Sequence, residues 1–253
     1  MTRYGMVGWA LAAMATLGVA HAEIATESVT YRIGEETFVG YFARNTAIAS
    51  PQPAVVIVHD WDGLNDYERT RARMLARQGY AAFAIDLYGK GVRPETVEQM
   101  RARSGALRGD RALMRERLDA GVAQLSELEG VEPGRAVAIG YCFGGSAVLE
   151  LARAGAPLQG FVTFHGGLDT PEGQSYDNVQ APLLVLHGSA DNAAPMAQVT
   201  ALASALDRAG VAYRMEIYGG APHAFTEWSG DRYRPDADLA SWRALMDFLG
   251  ERL

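Results

Sequence analysis

From residue 53 onward, short apolar runs alternate with stretches whose apolar positions recur at helical spacing. Residues 53–58 (Pro53-Ala54-Val55-Val56-Ile57-Val58) form an unbroken apolar run that stops at His59-Asp60, as expected for a strand buried on both faces. Residues 65–78 carry helical spacing with Leu64, Met74 and Leu75 among the apolar positions, and Gly79 ends them. The pattern then predicts a strand over 80–86, two helices over 94–129 that part near Gly109-Asp110, a strand over 135–141 and a helix over 144–154. Strands over 158–164, 183–186 and 212–218 follow, with helices over 195–209 and 235–252 after the last two. Ahead of this series, 28–33 and 37–43 read as extended segments turning at Gly34, an antiparallel hairpin. Such alternation predicts an α/β fold, a mostly parallel sheet with helices on both faces.

Composition agrees with one domain. The chain has 253 residues, 49% of them hydrophobic, enough for one sizeable core, and no repeat, linker or low-complexity tract divides it. A formal net charge of −7 argues against nucleic acid as a partner. The N-terminus changes the picture more. Arg3, an apolar stretch over 6–19 and Ala20-His21-Ala22 have the layout of a secretory leader, with cleavage expected after Ala22 and the mature domain over 23–253. The stretch is short for a bilayer span, which needs ~20 residues. The expectation is an exported protein, periplasmic or secreted, monomeric and not inserted in a membrane once the leader is removed.

Export makes the cysteine content notable, since exported proteins ordinarily pair their cysteines. This chain has one, Cys142, within Gly140-Tyr141-Cys142-Phe143-Gly144-Gly145, between a predicted strand and a predicted helix. A tight strand–turn–helix elbow needs glycines where side chains would clash, and it sets its central residue at a helix N-terminus that favours thiolate. A buried core thiol is the alternative. A thiol nucleophile needs a base, and the base an orienting carboxylate. Of the five histidines, His21 leaves with the leader, while His59, His165 and His187 each end a strand and read as structural. His223 lies in a Gly/Pro-rich loop before the last helix, and Asp191 follows the strand before that. Singly, these two also suit a loop histidine and a helix cap. In the order nucleophile, acid, histidine they match the α/β-hydrolases.

With these residues in place, the chain resembles the dienelactone hydrolase family. The resemblance runs from Val55-Val56-Ile57-Val58-His59-Asp60-Trp61-Asp62-Gly63 through Asp86-Leu87-Tyr88-Gly89, the cysteine elbow and Asp191 to His223-Ala224-Phe225. It implies an α/β-hydrolase fold and a Cys142–His223–Asp191 triad that cleaves carboxylic esters or lactones of small molecules through a thioester. It further implies an oxyanion hole from the Phe143 and Trp61 amides. Asp60 would stand where the family has a carboxylate, usually glutamate, that contacts the resting thiol. Trp61, Tyr88 and Trp228 are candidates for the substrate pocket, with segments 166–180 and 226–236 setting specificity.

One position departs from the pattern. Where the family carries an arginine shortly after the catalytic histidine, this chain has Glu227, so an anionic lactone would be repelled there and a neutral or less acidic substrate is expected. Arg101 and Arg103 are candidates for another positive group. No cofactor is expected, because the elbow glycines lack the Lys-Ser/Thr of a phosphate loop, and no metal, because the histidines lack i, i+4 pairing. The competing reading is a non-hydrolytic thiol protein, a redox sensor or ligand pocket on the same fold. Acyl transfer and peptide cleavage stay open within the enzyme reading.

Overall fold

The computed structural model describes Met1 and residues 23–253; the predicted leader lies outside the described residues. Strands β1 (Ile24–Ile33) and β2 (Glu36–Asn45) form the antiparallel hairpin turning at Gly34. Both run further than the apolar pattern indicated, because β1 is an edge strand that stays mostly exposed, where polar residues pair as well as apolar ones. There follow β3 (Gln52–Val58), α1 (Asp66–Arg77), β4 (Ala81–Ile85), α2 (Val97–Gly109), α3 (Arg111–Ala123) and β5 (Val131–Tyr141). The chain closes with α4 (Phe143–Arg153), β6 (Gly160–Phe164), β7 (Leu183–Gly188), α5 (Met196–Ala209), β8 (Tyr213–Tyr218) and α6 (Pro235–Arg252). β5 starts earlier than its apolar run, since Val131 and Glu132 pair with Gln52 and Pro53 before a register shift.

The strands make one eight-stranded sheet in the order β1-β2-β4-β3-β5-β6-β7-β8, with β2 antiparallel to β4 and all pairings from β4 to β8 parallel. Alternate side chains of each central strand enter opposite cores. Val56 and Val58 of β3 belong to the core that also takes residues from α2, α3, α4 and α5, whereas Val55 and Ile57 belong to the core shared with α1 and α6. All four are fully buried, each worth ~1.5–3 kcal/mol by removal from water. The central strands are therefore apolar at nearly every position, with Thr163 of β6 a buried exception, and the titratable groups lie towards their ends. The carboxyl ends of β3, β5, β6 and β7 and the loop after β8 carry His59-Asp60, Cys142, His165, Asp191 and His223.

α1 is fixed by a capping box. The Asn65 side chain accepts from the Tyr67 amide at 2.7 Å, and the Glu68 carboxyl accepts from the Asn65 amide at 3.0 Å. Glu68 also accepts from the Asp60 amide at 3.4 Å, which ties the helix start to the loop after β3. Among the described residues, no helix is long and apolar enough to cross a membrane.

Candidate active site

Three residues other than glycine take a positive φ among the described residues: Cys142 (51°), His165 (39°) and Ala224 (60°). All three lie around one cavity or directly behind it, where strained backbone is held by its surroundings. Cys142 is the sharp turn itself, with ψ −111°, between β5 and the first residue of α4. A Cβ on Gly140 would lie 2.2 Å from the Gly144 carbonyl oxygen, and one on Gly144 would lie 2.1 Å from the Val58 oxygen. Only glycine lets the elbow close against β3.

The elbow brings Sγ of Cys142 to 3.0 Å from Nε2 of His223. Nδ1 of His223 lies 2.8 Å from Oδ2 of Asp191, so Nδ1 carries the proton it donates and Nε2 faces the thiol. Oδ1 of Asp191 accepts from the amides of Ala193 and Ala194 at 2.8 and 2.9 Å. Burial alone would raise the Asp191 carboxyl, but the hydrogen bonds from His223 and the Ala194 amide outweigh it and hold it below the usual range. The Cys142 thiol is pushed up to about 12, by burial first and by Asp60 second, against opposing effects of Arg108 and the Phe143 amide. The sulfur rests as a neutral thiol.

The strand-end histidines are engaged elsewhere. His59 donates from Nδ1 to the Asp60 carbonyl at 2.6 Å and accepts at Nε2 from the Leu87 amide at 3.1 Å. His187 donates to the Ala194 carbonyl at 2.7 Å. His165 pairs through Nε2 with the Thr226 hydroxyl at 2.8 Å, and its ring packs edge-on to His223 at 5.4 Å. Burial lowers all three below the ordinary imidazole range, most strongly His165, so they stay neutral.

The cavity over the thiol has a volume of about 660 Å³. Cys142, His223, Asp60, Trp61 and Glu227 line it. Among the described residues no hydrogen bond joins Asp60 to the thiol. Its short side chain turns back on its own loop, where Oδ1 accepts from the Asp62 amide at 2.9 Å. Burial and then the Asp62 side chain raise the Asp60 carboxyl well above the usual range. Phe143 opens α4, so its amide has no acceptor within the helix.

Two pocket candidates sit elsewhere. Tyr88 is buried behind the cavity wall and donates to the Trp61 carbonyl at 3.0 Å, bracing Trp61 from the rear. Trp228 lies over the Arg71 guanidinium at 4.4 Å and donates to Asp238 at 3.0 Å, so a buried cation draws it away from the thiol. Arg101 lines the cavity and Arg103 does not. Arg108, Arg232, Ser146 and Gln198 line it too, none of them singled out by the sequence. The chain does carry a signal for Arg108, which lies seven residues after Arg101 and so on the same face of α2.

The fold and this geometry have parallels among known proteins. A family model described as the dienelactone hydrolase family matches residues 38–253. A curated protein of Bradyrhizobium sp. named "Probable 2-oxo-3-(5-oxofuran-2-ylidene)propanoate lactonase" is 27% identical over 236 residues, covering 89% of this chain and 94% of its own. A solved dienelactone hydrolase-like promiscuous phosphotriesterase from metagenomic libraries is 33% identical and superposes with a TM-score of 0.86, covering 92% of this chain and 99% of its own. A structure designated m3DLH is 36% identical, again with a TM-score of 0.86, over 91% of this chain and 99% of its own. The match takes in the sheet from β2 onward, the elbow and the loops carrying Asp191 and His223, and by it this chain, a hydrolase, belongs to the dienelactone hydrolase family.

Proposed function

We propose that this protein hydrolyses carboxylic esters or lactones of small molecules, with Cys142 as nucleophile, His223 as base and acid, and Asp191 as the group that orients His223. The observation that carries the reading is the continuous line Cys142–His223–Asp191, at 3.0 and 2.8 Å, opening on one cavity. In the first half-reaction His223 takes the thiol proton while Sγ bonds to the carbonyl carbon. The Phe143 and Trp61 amides hold the oxyanion; losing one such donor costs ~10²–10³ in rate. Collapse breaks the C–O bond, and the leaving alkoxide takes the proton from His223, leaving a thioester. Water then gives a proton to His223 and attacks the thioester, releasing the acid and returning the proton to sulfur. In a lactone the alcohol stays tethered to the acid.

Proton transfer to His223 as the carbonyl arrives suits a neutral resting thiol, because no thiolate stands idle between turnovers. At the position of Glu227 the cavity offers no cation to clamp an anionic group, which favours a neutral or less acidic substrate there. Export, read from the leader pattern, belongs to the same proposal and would be checked by N-terminal sequencing of protein recovered outside the cytoplasm.

The test is a panel of p-nitrophenyl esters, lactones and one phosphotriester, the last because a 33% identical neighbour is described as a promiscuous phosphotriesterase. Turnover that is abolished in Cys142→Ala with the fold intact supports the reading. Stoichiometric thiol oxidation without turnover would favour the non-hydrolytic alternative instead.

A further inference from the structure

Glu227 lines the cavity that holds the thiol, yet one of its carboxyl oxygens, Oε1, is out of solvent and has no hydrogen-bond partner. Among the described residues no donor meets its other carboxyl oxygen either. The ionisable groups facing it come from four elements: Asp62 in the loop after β3, Tyr67, Glu68 and Arg71 on α1, Tyr141 at the end of β5, and Asp238 on α6. Three of these are acids. Arg71, the cation of the set, is engaged by Asp238, the Thr226 carbonyl and the Tyr67 hydroxyl. An ionised carboxylate at Glu227 would leave an oxygen with neither water nor donor in an acidic neighbourhood, which is costly.

We propose that Glu227 works as a neutral carboxylic acid, donating a hydrogen bond to a second, uncharged acceptor oxygen of the substrate, an ester carbonyl or ether lying beyond the scissile carbonyl. This rests on the hydrolase reading above. A protonated carboxyl has one O–H to give, and the open side of this residue is the cavity. An anionic group is disfavoured at this subsite by Asp62, Glu68 and Asp238. A cationic one is disfavoured by Arg101, Arg108 and Arg232, which line the same cavity and have no ion-pair partner among the described residues. The carboxyl is pushed up to about 8, by burial first and then by Glu68 and Asp62. It therefore donates below that pH and, as a carboxylate, only accepts above it.

The test compares KM for p-nitrophenyl methyl succinate, which has the second ester carbonyl, with KM for p-nitrophenyl hexanoate, its alkyl match. The wild-type protein is expected to favour the methyl succinate by about three- to tenfold in KM, the worth of one hydrogen bond, and to lose that preference as pH rises through about 8. Glu227→Ala should bring the ratio to about one at every pH. Glu227→Gln keeps an N–H donor that does not titrate, so the ratio should survive and its pH dependence vanish. A wild-type ratio of one, a ratio unchanged in Glu227→Ala, or the same pH dependence in wild type and Glu227→Gln would overturn the assignment. A lower KM for a cationic betaine ester would overturn its neutral character. In each of these cases Cys142-dependent hydrolysis of the hexanoate leaves the hydrolase reading standing; no turnover of any ester overturns both.

Discussion

The neutral state of the resting thiol can be tested without knowing the substrate. Alkylation by iodoacetamide reads thiolate availability, and Cys142 is the chain's only cysteine, so no other thiol interferes. Raising the thiol from its ordinary 9.0 to about 12 leaves about a thousandfold less thiolate at neutral pH. The remaining thiolate is the stronger nucleophile, and a Brønsted slope of ~0.5 recovers about 30-fold of that loss. Cys142 should thus alkylate about 30-fold more slowly than a cysteine in an unstructured peptide. Its rate should rise about tenfold per pH unit from pH 7 to 10, well past the pH at which the peptide levels off. Asp60→Asn removes the second-largest cause of the rise and should speed the reaction. The assay is mass spectrometry of the alkylated protein over time across that pH range. Fast alkylation on a plateau from pH 5 to 8 would mean a standing thiolate–imidazolium pair, and the argument from burial would fail.

Two further variants probe the frame around the thiol. In Asp191→Asn the side-chain oxygen can still accept from the Ala193 and Ala194 amides, but the new NH₂ faces Nδ1–H of His223; the ring is expected to switch tautomer and kcat to fall ~10³–10⁴-fold with the urea midpoint little changed. In Arg71→Met the buried Asp238 carboxylate loses its cation while keeping the Trp228 and Tyr233 donors, and urea unfolding should show a loss of about 3–5 kcal/mol.

The alternation of apolar runs with helical spacing was enough to reach the parallel sheet, because strands buried on both faces are apolar at nearly every position until they end. For the same reason the chemistry-bearing residues stood out in the chain: Cys142, Asp191 and His223 interrupt or follow apolar runs, with glycines beside the cysteine that no ordinary strand would carry. Those signals are local, a few residues long, and survive without a structure. What lies around the site is not local. Trp228 has nothing in its own segment to show that it covers Arg71, a cation more than 150 residues earlier in the chain. Tyr88 lies beside the family motif yet braces Trp61 from behind, a matter of which side of a loop a ring packs on. Asp60 lines the cavity from the end of β3, but one methylene and an Asx turn decide that it bonds its own loop and not the sulfur.

The sequence by itself therefore determined the architecture, through burial period, and pointed through turn chemistry and family resemblance to the three side chains that meet at the cavity. Tertiary structure alone decided the protonation of the groups around them. The neutral thiol and the unpartnered Glu227 carboxyl arise from distances between segments far apart in the chain, where low dielectric and the lack of a donor govern each charge.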